Sequence, residues 1–153
     1  RASSGSWQSS CRKPRWLTFC GPSGTGKTHL ASEVFRCLGG VFHAHPTLLS
    51  GAMKFTWPRL LPKLRNGDYF LLDDIRDCHL LFLDDFGTER PTEFALEKLY
   101  EIIESRNRKW TLMTNNLTIE QVGSKMDARI ASRLIRDGSI VVNVQAQDFN
   151  LRS

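Results

Sequence analysis

A chain of 153 residues with 21 Lys and Arg against 16 Asp and Glu is long enough for one domain with a buried core and too short for two ordinary ones. With 41% hydrophobic and 24% charged residues it falls in the globular range, and no apolar stretch approaches the length of a membrane-spanning helix. Cys11, Cys20, Cys37 and Cys78 are scattered, without a CxxC pair or a histidine at ligand spacing, which argues against a disulfide framework or a zinc site.

The net charge of +5 favours contact with a polyanion such as nucleic acid. No initiator Met and no signal-peptide pattern opens the chain, so the expectation is a piece of a longer cytoplasmic protein. Residues 1–14, beginning RASSGSWQSS, read as a disordered or linker remnant, and residues 15–153 as one domain.

In chain order, Trp16–Cys20 (WLTFC) is a short apolar run that leads straight into a glycine cluster, hence strand then loop. The next segment sets Leu30, Ala31, Val34, Cys37 and Leu38 on one helical face, with Gly39-Gly40 as its stop. Val41–Ala44 is the candidate second strand. His43 and His45 would share one face of it, but two ligands without a third make a poor metal site. Pro46, Pro58 and Pro62 then divide residues 47–65 into short helical or irregular pieces.

Two apolar runs end in paired aspartates, Asp73-Asp74 and Asp84-Asp85. Residues 75–81 are too few for the crossover between parallel neighbours, which takes a dozen or more, so at most one pair ends such a strand. Tyr69, Leu72, Ile75 and His79 recur at three and four residues, a helical period that puts Asp73 and Asp74 on a solvated face. Leu80 to Leu83 are continuously apolar, as in a strand buried on both sides, and Gly87 turns the chain beyond Asp84-Asp85.

Pro91-Thr92 opens the clearest helix, with Ala95, Leu99, Ile102, Ile103 and Arg106 at helical intervals. Trp110–Asn116 reads as a strand with a polar end, Thr118 and Gln121 as a capping box, residues 127–138 as a helix closed by Gly138, and residues 139–144 as a last strand. Strands alternating with helices imply a parallel sheet covered on both faces.

Gly21, Gly26, Lys27 and Thr28 satisfy GxxxxGK[ST] within the loop Gly21-Pro22-Ser23-Gly24-Thr25-Gly26. Such a loop turns its N–H groups onto phosphate oxygens, Lys27 neutralises the outer phosphates, and the Thr28 hydroxyl ligates magnesium. His29, the next residue of the helix, can approach the nucleotide and is given no chemical role. The ligand expected is Mg-ATP, with Asp84 holding the metal and Asp85 orienting or deprotonating the attacking water. Loop and carboxylates are expected across a narrow gap between adjacent strand ends.

The segments FCGPSGTGKTHLA, LLFLDDFGTE, LEKLYEIIESR, LMTNNL and RIASRL stand in the order and spacing of the AAA+ ATPase domain of bacterial helicase loaders. From about Trp16 to Arg152 the chain resembles the DnaC/IstB group. That resemblance implies a P-loop NTPase fold of AAA+ type, a three-layer sandwich with a mostly parallel sheet. The chain ends at Ser153, so no C-terminal helical lid is expected. Asn116 would be the strand-tip sensor of the γ-phosphate or its water, with Asn115 a rival and a plain helix-capping role the alternative for both.

By the same resemblance Arg133, and second Arg129, would be an arginine finger acting on ATP of a neighbouring subunit, which predicts a homo-oligomer. Spacing alone makes Arg129, Arg133 and Arg136 one solvated helical stripe. The implied partners are a DnaB-type replicative helicase and single-stranded DNA, or a transposase in the IstB branch. Lys13, Arg15, Lys109, Arg129, Arg133 and Arg136 are the candidate DNA contacts. A nucleotide-dependent switch with little turnover and a small-molecule kinase are the competing functions.

Overall fold

The apolar run Leu80 to Leu83 lies near the middle of a sheet that buries both of its faces. The computed structural model describes residues 16–43, 51–87, 90–136 and 138–145; Cys11, Lys13, Arg15, Ala44 and His45 lie outside them. Among the described residues five strands, β1 (Trp16–Cys20), β2 (Ala52–Thr56), β3 (Leu80–Phe86), β4 (Trp110–Asn115) and β5 (Ile140–Asn143), form one sheet in the order β2-β3-β4-β1-β5. Every pairing is parallel.

Helix α1 (Lys27–His43) covers one face of the sheet. There Phe19, Ala31, Leu80, Phe82 and Leu112 pack with Val34, Phe35 and Leu38. The other face carries α2 (Trp57–Arg65), α3 (Tyr69–Asp77), α4 (Glu93–Ser105), α5 (Ile119–Lys125) and α6 (Ala128–Leu134), packed through Leu60, Ile75, Leu99, Ile102, Val122 and Ile130 onto Leu81, Leu83 and Met113. This is the three-layer arrangement expected from the sequence. No helix among the described residues is long and apolar enough to cross a membrane.

Four sequence expectations are corrected. Gly39-Gly40 does not stop α1, which runs on to His43. A glycine ends a helix by taking a positive φ, and neither does so here. Val41–His43 are therefore helical, and the second strand is Ala52–Thr56. Leu30 and Cys37 are exposed, so the buried face of α1 is Ala31, Val34, Phe35 and Leu38. Finally α6 ends at Leu134, ahead of Arg136 and Gly138.

Elsewhere the local signals act as read. Thr92 accepts a hydrogen bond from the Ala95 N–H at the start of α4, and Thr118 with Gln121 closes a reciprocal capping box on α5. Residues 69–77 are helical, with Leu72 and Ile75 buried and Asp73 and Asp74 exposed.

Candidate nucleotide site

The site is built at the C-terminal edge of the sheet, where β1 gives way to the loop 21–26 and then α1. Gly21 takes φ +144°, and a Cβ there would stand 2.3 Å from the Val144 carbonyl oxygen, so no other residue fits without displacing the segment after β5. Gly26, with φ +85°, turns the chain into α1 in a conformation that side chains rarely adopt. The loop is further tied by the Thr25 hydroxyl, which donates to the Pro22 carbonyl at 2.9 Å.

Lys27 is buried, and its Nζ lies inside this loop, donating to the Pro22 carbonyl at 2.6 Å. Burial lowers its pKa, against the opposing pull of Asp85, Cys20 and Asp84. Burial likewise pushes the Cys20 thiol, at the end of β1, up to about 11.

Thr28 faces β3. Its hydroxyl donates to Asp84 Oδ1 at 2.9 Å, joining residues 56 positions apart in the chain. The same oxygen accepts the Thr114 hydroxyl of β4 at 2.6 Å. Asp85 has φ +57°, uncommon for a residue with a side chain, and its acid is pushed up first by burial and then by Asp84, with Lys27 pulling it down.

Loop and carboxylates do come together, but not from adjacent strands. β4 lies between β1 and β3, so the expectation of neighbouring strand ends is corrected, and the intervening strand contributes Thr114 to the centre of the site. Thr114 is the residue that sequence reasoning passed over. Within MTNN it looked like ordinary strand filling, and no local pattern distinguishes it.

Asn115, the last residue of β4, is fully buried and points to the face opposite Asp84, where its Oδ1 accepts the Leu117 N–H at 3.0 Å. Asn116 follows the strand and is half-buried. Arg133 and Arg136 both engage Glu104 of α4, at 2.5 and 3.4 Å, while Arg129 pairs with Asp127 and stacks over Tyr100. Lys109 pairs with Asp77. The expected solvated stripe is thus a set of ion pairs within the chain, and all four described candidates for DNA contact already have an acidic partner.

The donor set suits magnesium delivered with a nucleotide. One carboxylate and one hydroxyl converge at Asp84 and Thr28, and magnesium takes its remaining ligands from phosphate and water. A resident metal would need more, and no group of three or more His, Cys, Asp or Glu among the described residues is placed to hold one.

No family model matches the chain, and no curated protein matches it significantly. Solved structures do. The DnaC helicase loader superposes with a TM-score of 0.72 at 23% identity, over 88% of this chain and 80% of that one. The chain has the fold of that loader. DnaI superposes at 0.70 and 23% identity, over 88% and 75% of the two chains. The replication initiator DnaA, solved with AMPPCP and single-stranded DNA, superposes at 0.64 and 18% identity, over 86% of this chain and 40% of DnaA. At these identities the likeness establishes the fold, and the chemistry rests on the side chains just described.

Proposed function

We propose that the chain binds Mg-ATP and hydrolyses it as the ATPase domain of a cytoplasmic DNA-replication protein that loads a replicative helicase onto single-stranded DNA. The observation that carries the ATPase part is the Thr28 hydroxyl on the Asp84 carboxylate beside a buried Lys27. An anionic phosphate chain would sit on the loop amides and the N-terminus of α1, replacing the Pro22 carbonyl as the partner of Lys27. Magnesium, held by Thr28 and Asp84, would neutralise charge on the transferred phosphoryl group. Asp85 would orient and deprotonate the attacking water, its raised pKa making it a better base than an ordinary aspartate. Asn116 would contact the γ-phosphate or that water.

Arg133 would act on the ATP of a neighbouring subunit, with Arg129 as the second candidate. To do so Arg133 exchanges Glu104 for phosphate, and an ion pair open to solvent is weak, so the exchange costs little. The replication assignment draws on the DnaC, DnaI and DnaA likenesses, and a transposition helper of IstB type has the same nucleotide site. Steady-state phosphate release with and without single-stranded DNA is the test. The proposal predicts DNA-stimulated turnover that Asp85→Ala abolishes while nucleotide binding persists; tight binding with no turnover in the wild type would favour a nucleotide-dependent switch.

A further inference from the structure

We propose that Thr114 is a positioning residue for hydrolysis: its hydroxyl holds the Asp84-Asp85 peptide in the turned conformation that aims Asp85, and so ties β4 to the carboxylates of β3. The proposal rests on the reading of Asp84 and Asp85 as the metal-holding and water-activating pair.

The pairing of β3 with β4 runs in step as far as Leu83 opposite Met113, then resumes with Phe86 opposite Asn115. Two residues of β3, Asp84 and Asp85, therefore stand against one of β4, which is Thr114. That is a bulge, and the packing confirms it. Leu81, Leu83 and Phe86 join the same hydrophobic cluster, a spacing of two and then three, which an unbroken strand cannot deliver to one face.

The extra residue at a bulge drops out of the strand ladder, so its N–H must find another acceptor if no water can reach it. Here the Asp85 N–H donates to Thr114 Oγ1 at 2.9 Å, at a threonine with no exposed surface. A backbone N–H only donates, so the hydroxyl accepts from it and places its single proton on Asp84 Oδ1, 2.6 Å away. One hydroxyl thus fixes both aspartates: it orients the Asp84 carboxylate and pins the peptide that puts Asp85 at φ +57°.

Valine fills the space of threonine without the hydroxyl, and serine keeps the hydroxyl without the methyl. Thr114→Val and Thr114→Ser are therefore compared in the full chain by magnesium-dependent ATP turnover, nucleotide affinity and crystal structure. Thr114→Val is expected to keep its nucleotide affinity within about threefold while turnover falls at least about tenfold, the effect of losing hydrogen bonds to a charged group, and Thr114→Ser to restore turnover. Full turnover in Thr114→Val, or equal loss in Thr114→Ser, overturns the proposal. Should the wild type release no phosphate, the ATPase reading fails on its own and the crystal structures still decide. Asp85 is expected to leave positive φ in the valine variant and keep it in the serine variant; an unmoved Asp85 in Thr114→Val overturns the role assigned to the hydroxyl.

Discussion

Burial and the neighbouring Asp84 carboxylate push the Asp85 acid above the ordinary aspartate range, so the folded protein binds a proton there that the unfolded chain has released. The stability linked to this group is complete at acid pH and is lost as pH rises through the raised pKa. By neutral pH the group therefore opposes folding. Asp85→Asn, melted without magnesium or nucleotide, is therefore expected to raise Tm at neutral pH, and the gain to shrink as pH falls towards the ordinary aspartate range. A gain that is absent at neutral pH, or that grows on acidification, contradicts this. The same variant should lose turnover.

Much of this residue-scale picture was legible because it is local in sequence. Gly21 to Thr28 are consecutive, and each carries its reason in its own chemistry. Thr114 was not legible, because its role comes from a bulge on another strand, and no pattern within residues 110–116 announces it.

Among the elements, α4 and β3 were readable from their apolar periods, whereas β2 was not. Its alternation is real: Met53 and Phe55 pack against the core, and Lys54 is exposed, its Nζ 4.9 Å from the Phe82 ring. A lysine in the middle of five residues, with prolines close behind, hides the strand from a search for apolar runs, yet a charge is what an edge strand uses to discourage further pairing. Pro58 and Pro62 misled in the same region, since both are accommodated within α2.

Arg106, read as one more position on the face of α4, lies just beyond the helix with no exposed surface. Its guanidinium donates to the carbonyls of Ile75, Cys78 and Trp110 and to the Thr111 hydroxyl, joining the end of α3 to the start of β4. Arg106→Ala removes the guanidinium that serves those carbonyls and the Thr111 hydroxyl, a loss of at least about 3 kcal/mol. For a domain of this size that lowers Tm by roughly ten degrees. Thermal denaturation should show such a drop, with partial recovery in Arg106→Lys; an unchanged Tm would mean that water replaces the guanidinium.

For the whole molecule, the strand order does what no single segment can. It sets β1, β4 and β3 side by side, so that the loop 21–26, the Thr114 hydroxyl and the Asp84 carboxylate meet at one edge of the sheet. The layered α/β class followed from the alternation of strands and helices, but strand order is a long-range property, and the sequence offered only that the motifs should meet. The same assembly leaves Asp73 and Asp74 on the outer face of α3, with Asp73 paired to Arg76.

The most direct test of the account is a crystal structure with a non-hydrolysable ATP analogue and manganese in place of magnesium, the metal located by its anomalous signal. The expected result is a single strong peak beside the Thr28 hydroxyl and the Asp84 carboxylate, with the phosphate chain over Lys27. A peak at Asp73-Asp74, or a nucleotide bound away from the loop 21–28, would contradict it.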